Sequence, residues 1–120
     1  MSSSKILIID DDRDIVDAME TILTLENFTV SHAYNGSEGV KRVKEYHPDI
    51  IFLDYMLPDT TGKDIALALK RDDEVKKTPI ILVSAAKDIQ EIAKQIPVDD
   101  VLEKPFDMEE LITMVYTDLT

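Results

Sequence analysis

Asp10-Asp11-Asp12 follows directly on the apolar run Ile6-Leu7-Ile8-Ile9. Three other residues able to do chemistry stand in a similar relation to apolar runs. Asp54 follows Ile50–Leu53, Ser84 follows Ile80–Val83, and Lys104 comes two residues after Val101-Leu102. Carboxylates gathered in one crevice repel one another, and each resists ionising unless a cation neutralises the group. Oxygen donors without His or Cys suit a hard cation, foremost Mg²⁺ with retained water. Taken singly, each residue has an ordinary explanation. An Asp after a strand is a cap or turn residue, Lys104 a surface lysine, and Ser84 a satisfied hydroxyl. What that explanation leaves out is their joint occurrence, if the four runs are strands ending on one edge.

The elements that must position them can be read along the chain. Residues 6–9, 50–53 and 80–83 are apolar throughout and rich in β-branched side chains, as buried parallel strands are. Phe28–Ala33 alternates and reads as a strand nearer an edge, and Val101-Leu102 as a short fifth strand. Helical spacing appears between them. Ile15, Ala18, Met19, Ile22 and Leu23 share one face. A second helix is expected from Ser37, as N-cap, to Tyr46, with Val40 and Val43 inward and Gly39 out of place; Pro48 closes it and steers His47 away from helix. A third spans Lys63–Arg71. A fourth carries Ile89, Ile92, Ala93 and Ile96 and ends at Pro97, and a fifth starts near Asp107 with Met108, Leu111, Val115 and Leu119 inward. Strict alternation of strand and helix predicts a parallel sheet covered on both faces, with right-handed crossovers. Five of each suit a doubly wound α/β sheet of order 2-1-3-4-5, in which ligands sit beyond the carboxyl ends of the strands.

Composition bounds the partners. The 120 residues predict one domain, 1–120, with no internal repeat or linker. A hydrophobic share of 44% predicts a packed core rather than disorder. Net charge is −12, which argues against direct nucleic-acid binding or an anionic membrane surface, where Lys and Arg supply the affinity. There is no cysteine, so disulfides, thiolate catalysis and Cys-ligated zinc are excluded. Met1-Ser2-Ser3-Ser4-Lys5 is not followed by the apolar stretch of a secretory signal, and no apolar run approaches the ~18 residues that span a bilayer. A cytoplasmic location is expected.

The set Ile6–Asp11, Asp54-Tyr55-Met56-Leu57-Pro58 with Gly62, Ser84-Ala85 and Lys104-Pro105-Phe106 resembles the receiver domains of two-component response regulators, chemotaxis regulators among them. The likeness covers the whole chain in order, and it implies the flavodoxin-like (βα)5 fold. It implies that Asp54 is the phosphoryl acceptor, forming an aspartyl phosphate. Asp11 would bind Mg²⁺ directly, Asp10 through water, and the Met56 carbonyl would complete the protein ligands. Lys104 would pair with the acyl phosphate, the Ser84 hydroxyl would donate to it, and Lys104–Pro105 would be cis. Asp12 is expected in a solvated or outer role, Asp59 and Asp64 as turn and cap residues, and His32 and His47 as structural or exposed. The implied partners are a histidine kinase or histidine phosphotransfer protein, docking near the first helix and the loop after the fifth strand, and a downstream effector or output domain. Output, or a homodimer, would use the fourth helix, fifth strand and fifth helix, where Ile112, Met114 and Tyr116 lie partly off the core stripe. Such a chain is a phosphoacceptor that assists its own phosphorylation and dephosphorylation, not a turnover enzyme.

Three positions depart from the pattern. Many receivers carry Tyr or Phe three residues before the lysine, whereas this chain has Val101. Valine is small and stiff at χ1, so a muted switch is expected, carried by Ala85–Asp88 and the fourth helix. Met56 and Ala86 flank the phosphoryl position and cannot orient a water, which predicts a long-lived phosphoryl group. Rival readings fare less well. A haloacid dehalogenase-type phosphatase would use Asp10 as nucleophile, but Asp14 stands where that motif has Thr or Val and the chain is short. An EF-hand would need Gly at Ile15 and Glu at Thr21. A nucleotide-binding relative would need a Gly-rich phosphate loop, and a degenerate receiver-like module should have lost part of the set.

Overall fold

A computed structural model describes residues 4–119; the readings made on Met1–Ser3 and Thr120 lie outside the described residues. Five strands and five helices alternate: β1 Lys5–Ile9, α1 Arg13–Leu25, β2 Thr29–Ala33, α2 Gly36–Tyr46, β3 Ile50–Asp54, α3 Gly62–Lys70, β4 Ile80–Ser84, α4 Ile89–Ala93, β5 Asp100–Glu103 and α5 Met108–Leu119. The sheet is all parallel, in the order β2-β1-β3-β4-β5. The expected doubly wound α/β architecture is therefore present.

Period-2 alternation within the buried strands sorts the core into two layers. Leu7, Ile9, Ile51, Leu53, Ile80 and Leu82 face α2, α3 and α4, packing with Val43, Ile65, Leu69 and Ile89. Ile6, Ile8, Ile50, Phe52, Ile81 and Val83 face α1 and α5, packing with Val16, Met19, Leu23, Leu111 and Val115. Both layers are built of buried apolar side chains, and Phe52 is the largest fully buried one. Burying such a side chain contributes about 1.5–3 kcal/mol, so the apolar runs themselves stabilise the sheet edge that carries the polar residues.

Several local readings need correction. Asn35, not Ser37, caps α2; its side-chain oxygen accepts the Glu38 N–H at 2.8 Å, and the helix starts at Gly36. Asn followed three residues later by Glu resembles the capping-box pattern, a signal the sequence carried. Gly39, out of place as a helix former, lets α2 approach β1: a Cβ there would stand 2.8 Å from Ile9 Cδ1. In α1 the buried residues are Val16, Met19 and Leu23, while Ala18 is exposed, because the core-facing stripe is rotated by about one residue. Helix α4 stops at Ala93; Ile96 is buried from the turns that follow. Met108, expected inward, is exposed at the first turn of α5, ahead of the point where the helix meets the sheet. His47 has φ 53°, and its left-handed backbone ends α2 directly before Pro48.

Candidate functional site

Register brings the polar residues together. Ile9 pairs with Leu53 in the β1–β3 ladder, so Asp10 and Asp54 emerge side by side on neighbouring strands. Ser84 pairs with Glu103 in the β4–β5 ladder, so Lys104 emerges next to Ser84. Main-chain bonds continue three of the four ladders one step past the strands. The Asp10 N–H donates to Ala33 O at 3.1 Å, Tyr55 N–H to Val83 O at 3.2 Å, and Lys104 N–H to Ser84 O at 2.8 Å. The Lys104–Pro105 peptide is cis, as the resemblance implied.

Carboxylate oxygens of Asp10, Asp11 and Asp54 lie within 4.8 Å of one another. Asp10 is buried, Asp11 exposed and Asp54 half-buried, so the cluster opens to solvent on one side. The Asp10 oxygens are both engaged: Oδ1 accepts the Asp12 N–H at 2.9 Å, and Oδ2 the Lys104 ammonium at 3.0 Å. The same ammonium stands 3.9 Å from Asp54 Oδ2. Burial, and secondly the neighbouring Asp10 charge, push the Asp54 carboxyl up to about 7, against the pull of Lys104. One lysine thus offsets the charge only partly, and the residual repulsion is what a divalent cation would remove. The donor set, all carboxylate oxygens at an open edge, fits Mg²⁺ with retained water.

The remaining expected residues are at hand. Ser84 is buried, and its Oγ accepts the Ala86 N–H at 3.1 Å, leaving the hydroxyl proton available to a ligand. Met56 lies in the loop after Asp54 and is 62% exposed. Val101, on β5, packs against the α2–α4 layer of the core. Asp12 caps α1, its Oδ1 accepting the N–H groups of Asp14 and Ile15. Asp64 is no cap: Thr61 caps α3, and its hydroxyl accepts the Asp64 N–H. His32, away from the site, pairs with Glu20.

Comparison with known proteins agrees with this geometry. The family model for the response regulator receiver domain matches residues 6–116. The chain belongs to the response regulator receiver family. Response regulator ArlR of Staphylococcus aureus is 32% identical over 114 residues, covering 93% of this chain but 51% of the relative. The receiver thus spans about half the length of the curated relatives it matches. Among solved structures, a two-component response regulator from Clostridium difficile superimposes with a TM-score of 0.89 at 29% identity, over 98% of this chain and 96% of that one. A Francisella response regulator receiver domain does so with a TM-score of 0.87 at 27% identity, over 98% and 97%. This receiver is part of two-component signalling.

The sequence singled out Gly62 only as part of the resemblance and Asp59 only as a turn or cap residue; the structure shows what each does. Gly62 is needed because a Cβ there would stand 2.8 Å from the Asp54 carbonyl oxygen and 3.0 Å from Tyr55 Cα. Asp59 accepts the N–H groups of Gly36 and Ser37 at 2.7 and 2.9 Å, so it caps α2 from across the molecule. No local pattern announces a cap contributed from 22 residues away.

Proposed function

We propose that this receiver takes a phosphoryl group onto Asp54 from the phosphohistidine of a histidine kinase or histidine phosphotransfer protein. The observation that carries the reading is the cluster of three carboxylates with the Lys104 ammonium 3.0 Å from Asp10 and 3.9 Å from Asp54. An Asp54 carboxylate oxygen attacks phosphorus. The P–N bond of the donor breaks, and its electron pair stays with the imidazole nitrogen, leaving a mixed carboxylic–phosphoric anhydride on Asp54. Asp10, Asp11, Asp54 and the Met56 carbonyl would hold Mg²⁺, which supplies charge neutralisation between acceptor and phosphoryl oxygens. Lys104 then leaves Asp10 to pair with the anhydride phosphate as a point charge, and the Ser84 hydroxyl donates to a phosphate oxygen. Asp54 serves as acceptor rather than Asp10, because both Asp10 oxygens already accept hydrogen bonds.

The donor docks over α1 and the loop after β5, where Ile15, Ile22, Pro105 and Phe106 line an apolar groove beside the site. Output passes through α4, β5 and α5, a face that also suits a homodimer or an effector domain. Val101 mutes the side-chain part of that switch. Met56 and Ala86 offer no polar group to a hydrolytic water, so the phosphoryl group persists. The setting is the cytoplasm, where kinase domains meet their receivers.

Intact-protein mass after incubation with Mg²⁺ and a small acyl-phosphate donor tests this. One base-labile phosphoryl adduct is expected, absent from Asp54→Ala and absent when Mg²⁺ is chelated. An adduct that persists in Asp54→Ala and disappears in Asp10→Asn would assign the nucleophile to Asp10. No adduct from either small donors or a phosphorylated kinase would make the chain an interaction module that keeps the fold without the chemistry.

A further inference from the structure

The segment between β3 and α3 is a tight hairpin built on the acceptor strand. Gly62 N–H donates to Tyr55 O at 2.6 Å, Met56 bridges Thr61, and Leu57 N–H donates to Thr60 O at 3.1 Å, with Pro58 and Asp59 at the tip. The base of this hairpin is fixed to the sheet. Its tip reaches α2, where Asp59 takes two of the donors that a helix start leaves unpaired. Gly36 N–H is held by Oδ1 at 2.7 Å and Ser37 N–H by Oδ2 at 2.9 Å, while Asn35 holds the Glu38 N–H. Both bonds favour the ionised carboxylate, as does the helix dipole, and the Asp59 carboxyl is held below its ordinary range. Gly36 is what allows the approach. A Cβ there would overlap the Thr60 methyl and stand 2.9 Å from Ile65 Cδ1.

We propose that Asp59 is a positioning residue for the cation site: its carboxylate latches the hairpin tip to the start of α2 and so fixes the Met56 main chain beside Asp54. The inference rests on the reading of Asp10, Asp11, Asp54 and the Met56 carbonyl as the Mg²⁺ site. Met56 lies between two anchors, the end of β3 and the latch. With the latch gone, the tip keeps the Leu57 side chain, buried in the core, and the bond from Leu57 N–H to Thr60 O, but loses its tie to α2. A carbonyl ligand whose support is lost must be ordered again on each binding event, and outer supports of this kind are worth about tenfold or more in metal affinity.

The test uses the full chain in three forms: wild type, Asp59→Ala and Asp59→Asn. Amide hydrogen exchange of Gly36 and Ser37 is followed by NMR without metal, and Mg²⁺ affinity by calorimetric titration. In Asp59→Ala both amides lose protection and the Mg²⁺ Kd rises about tenfold, while the phosphorylation rate at saturating Mg²⁺ stays within about twofold of wild type. Asp59→Asn, which keeps one acceptor oxygen, falls between, and it carries the comparison by itself if Asp59→Ala does not fold. Unchanged protection at Gly36 and Ser37 overturns the latch. Lost protection with an unchanged Kd overturns the positioning role. Absence of Mg²⁺ binding by the wild type overturns the cation site and this inference with it, and the wild-type titration alone distinguishes that case.

Discussion

Asp54 is where burial and charge pull hardest against each other. Its carboxyl is pushed up to about 7 by burial first and by Asp10 second. Unfolded, the same group ionises near its reference value of 3.8. Between about pH 4 and pH 7 the folded protein therefore holds a proton that the unfolded chain has released, and stability falls as pH rises through that window. Asp54→Asn removes the cost and leaves Asp10 and Lys104 as a matched pair. In metal-free buffer at pH 8 this variant is expected to melt above wild type, by roughly 1–2 kcal/mol after allowance for solvent screening, at about 4 °C per kcal/mol for a domain of this size. The gain should shrink steadily toward pH 4 and vanish below about pH 3, where both states are protonated, and it should also shrink when Mg²⁺ is added. Thermal melts at three pH values check it, and a gain that is equal at pH 4 and pH 8 would assign it to packing.

At the scale of elements, the strands were legible because each is a short apolar run bounded by polar residues, and their inward and outward sides follow from alternation alone. Helix faces were less so. Val16 was left off the core face of α1 because Ile15 and Ala18 make as good a stripe on paper; only contact with Phe52 and its neighbours distinguishes them. The short α4 owes its extent to packing, since Ile96 reaches the core without helical backbone. Gly62 matters most for the site. Its missing side chain lets the hairpin close on the carbonyl of Asp54 itself, so Gly62→Ala sets a methyl against backbone that cannot yield. Overpacking of this kind costs about 1–3 kcal/mol. Urea denaturation should show that loss, and Mg²⁺ affinity should fall with it, because the displaced hairpin carries Met56.

Across the whole molecule, the net charge of −12 works against compaction. Raising NaCl from about 0.01 to 0.5 M should therefore raise the melting temperature, as the Debye length contracts from about 30 Å to below 10 Å. Millimolar Mg²⁺ should raise it further than NaCl of matched ionic strength, and the excess should be lost in Asp11→Asn. If Mg²⁺ does no more than matched NaCl, the carboxylate cluster is not a specific cation site. A phosphoryl group adds about 1.5–2 negative charges, a small change to so acidic a surface. Under the proposed phosphorylation of Asp54, the signal would therefore run through local contacts of Ser84 and Lys104, which share the bond from Lys104 N–H to Ser84 O at the ends of β4 and β5.

What the sequence determined by itself was the alternation of elements, the parallel sheet and the chemistry-bearing residues after four of its five strands. Hydrophobic period and the chemistry of caps and prolines are local properties, and they are written in neighbouring residues. The tertiary structure alone decided what depends on register and close approach. Pairing Ile9 with Leu53 made Asp10 and Asp54 neighbours. The contact between the β3–α3 hairpin and α2 turned Asp59 from a turn residue into the cap of a distant helix. Those relations arise only when segments far apart in the chain pack to within a few ångströms, and no spacing along the sequence encodes them.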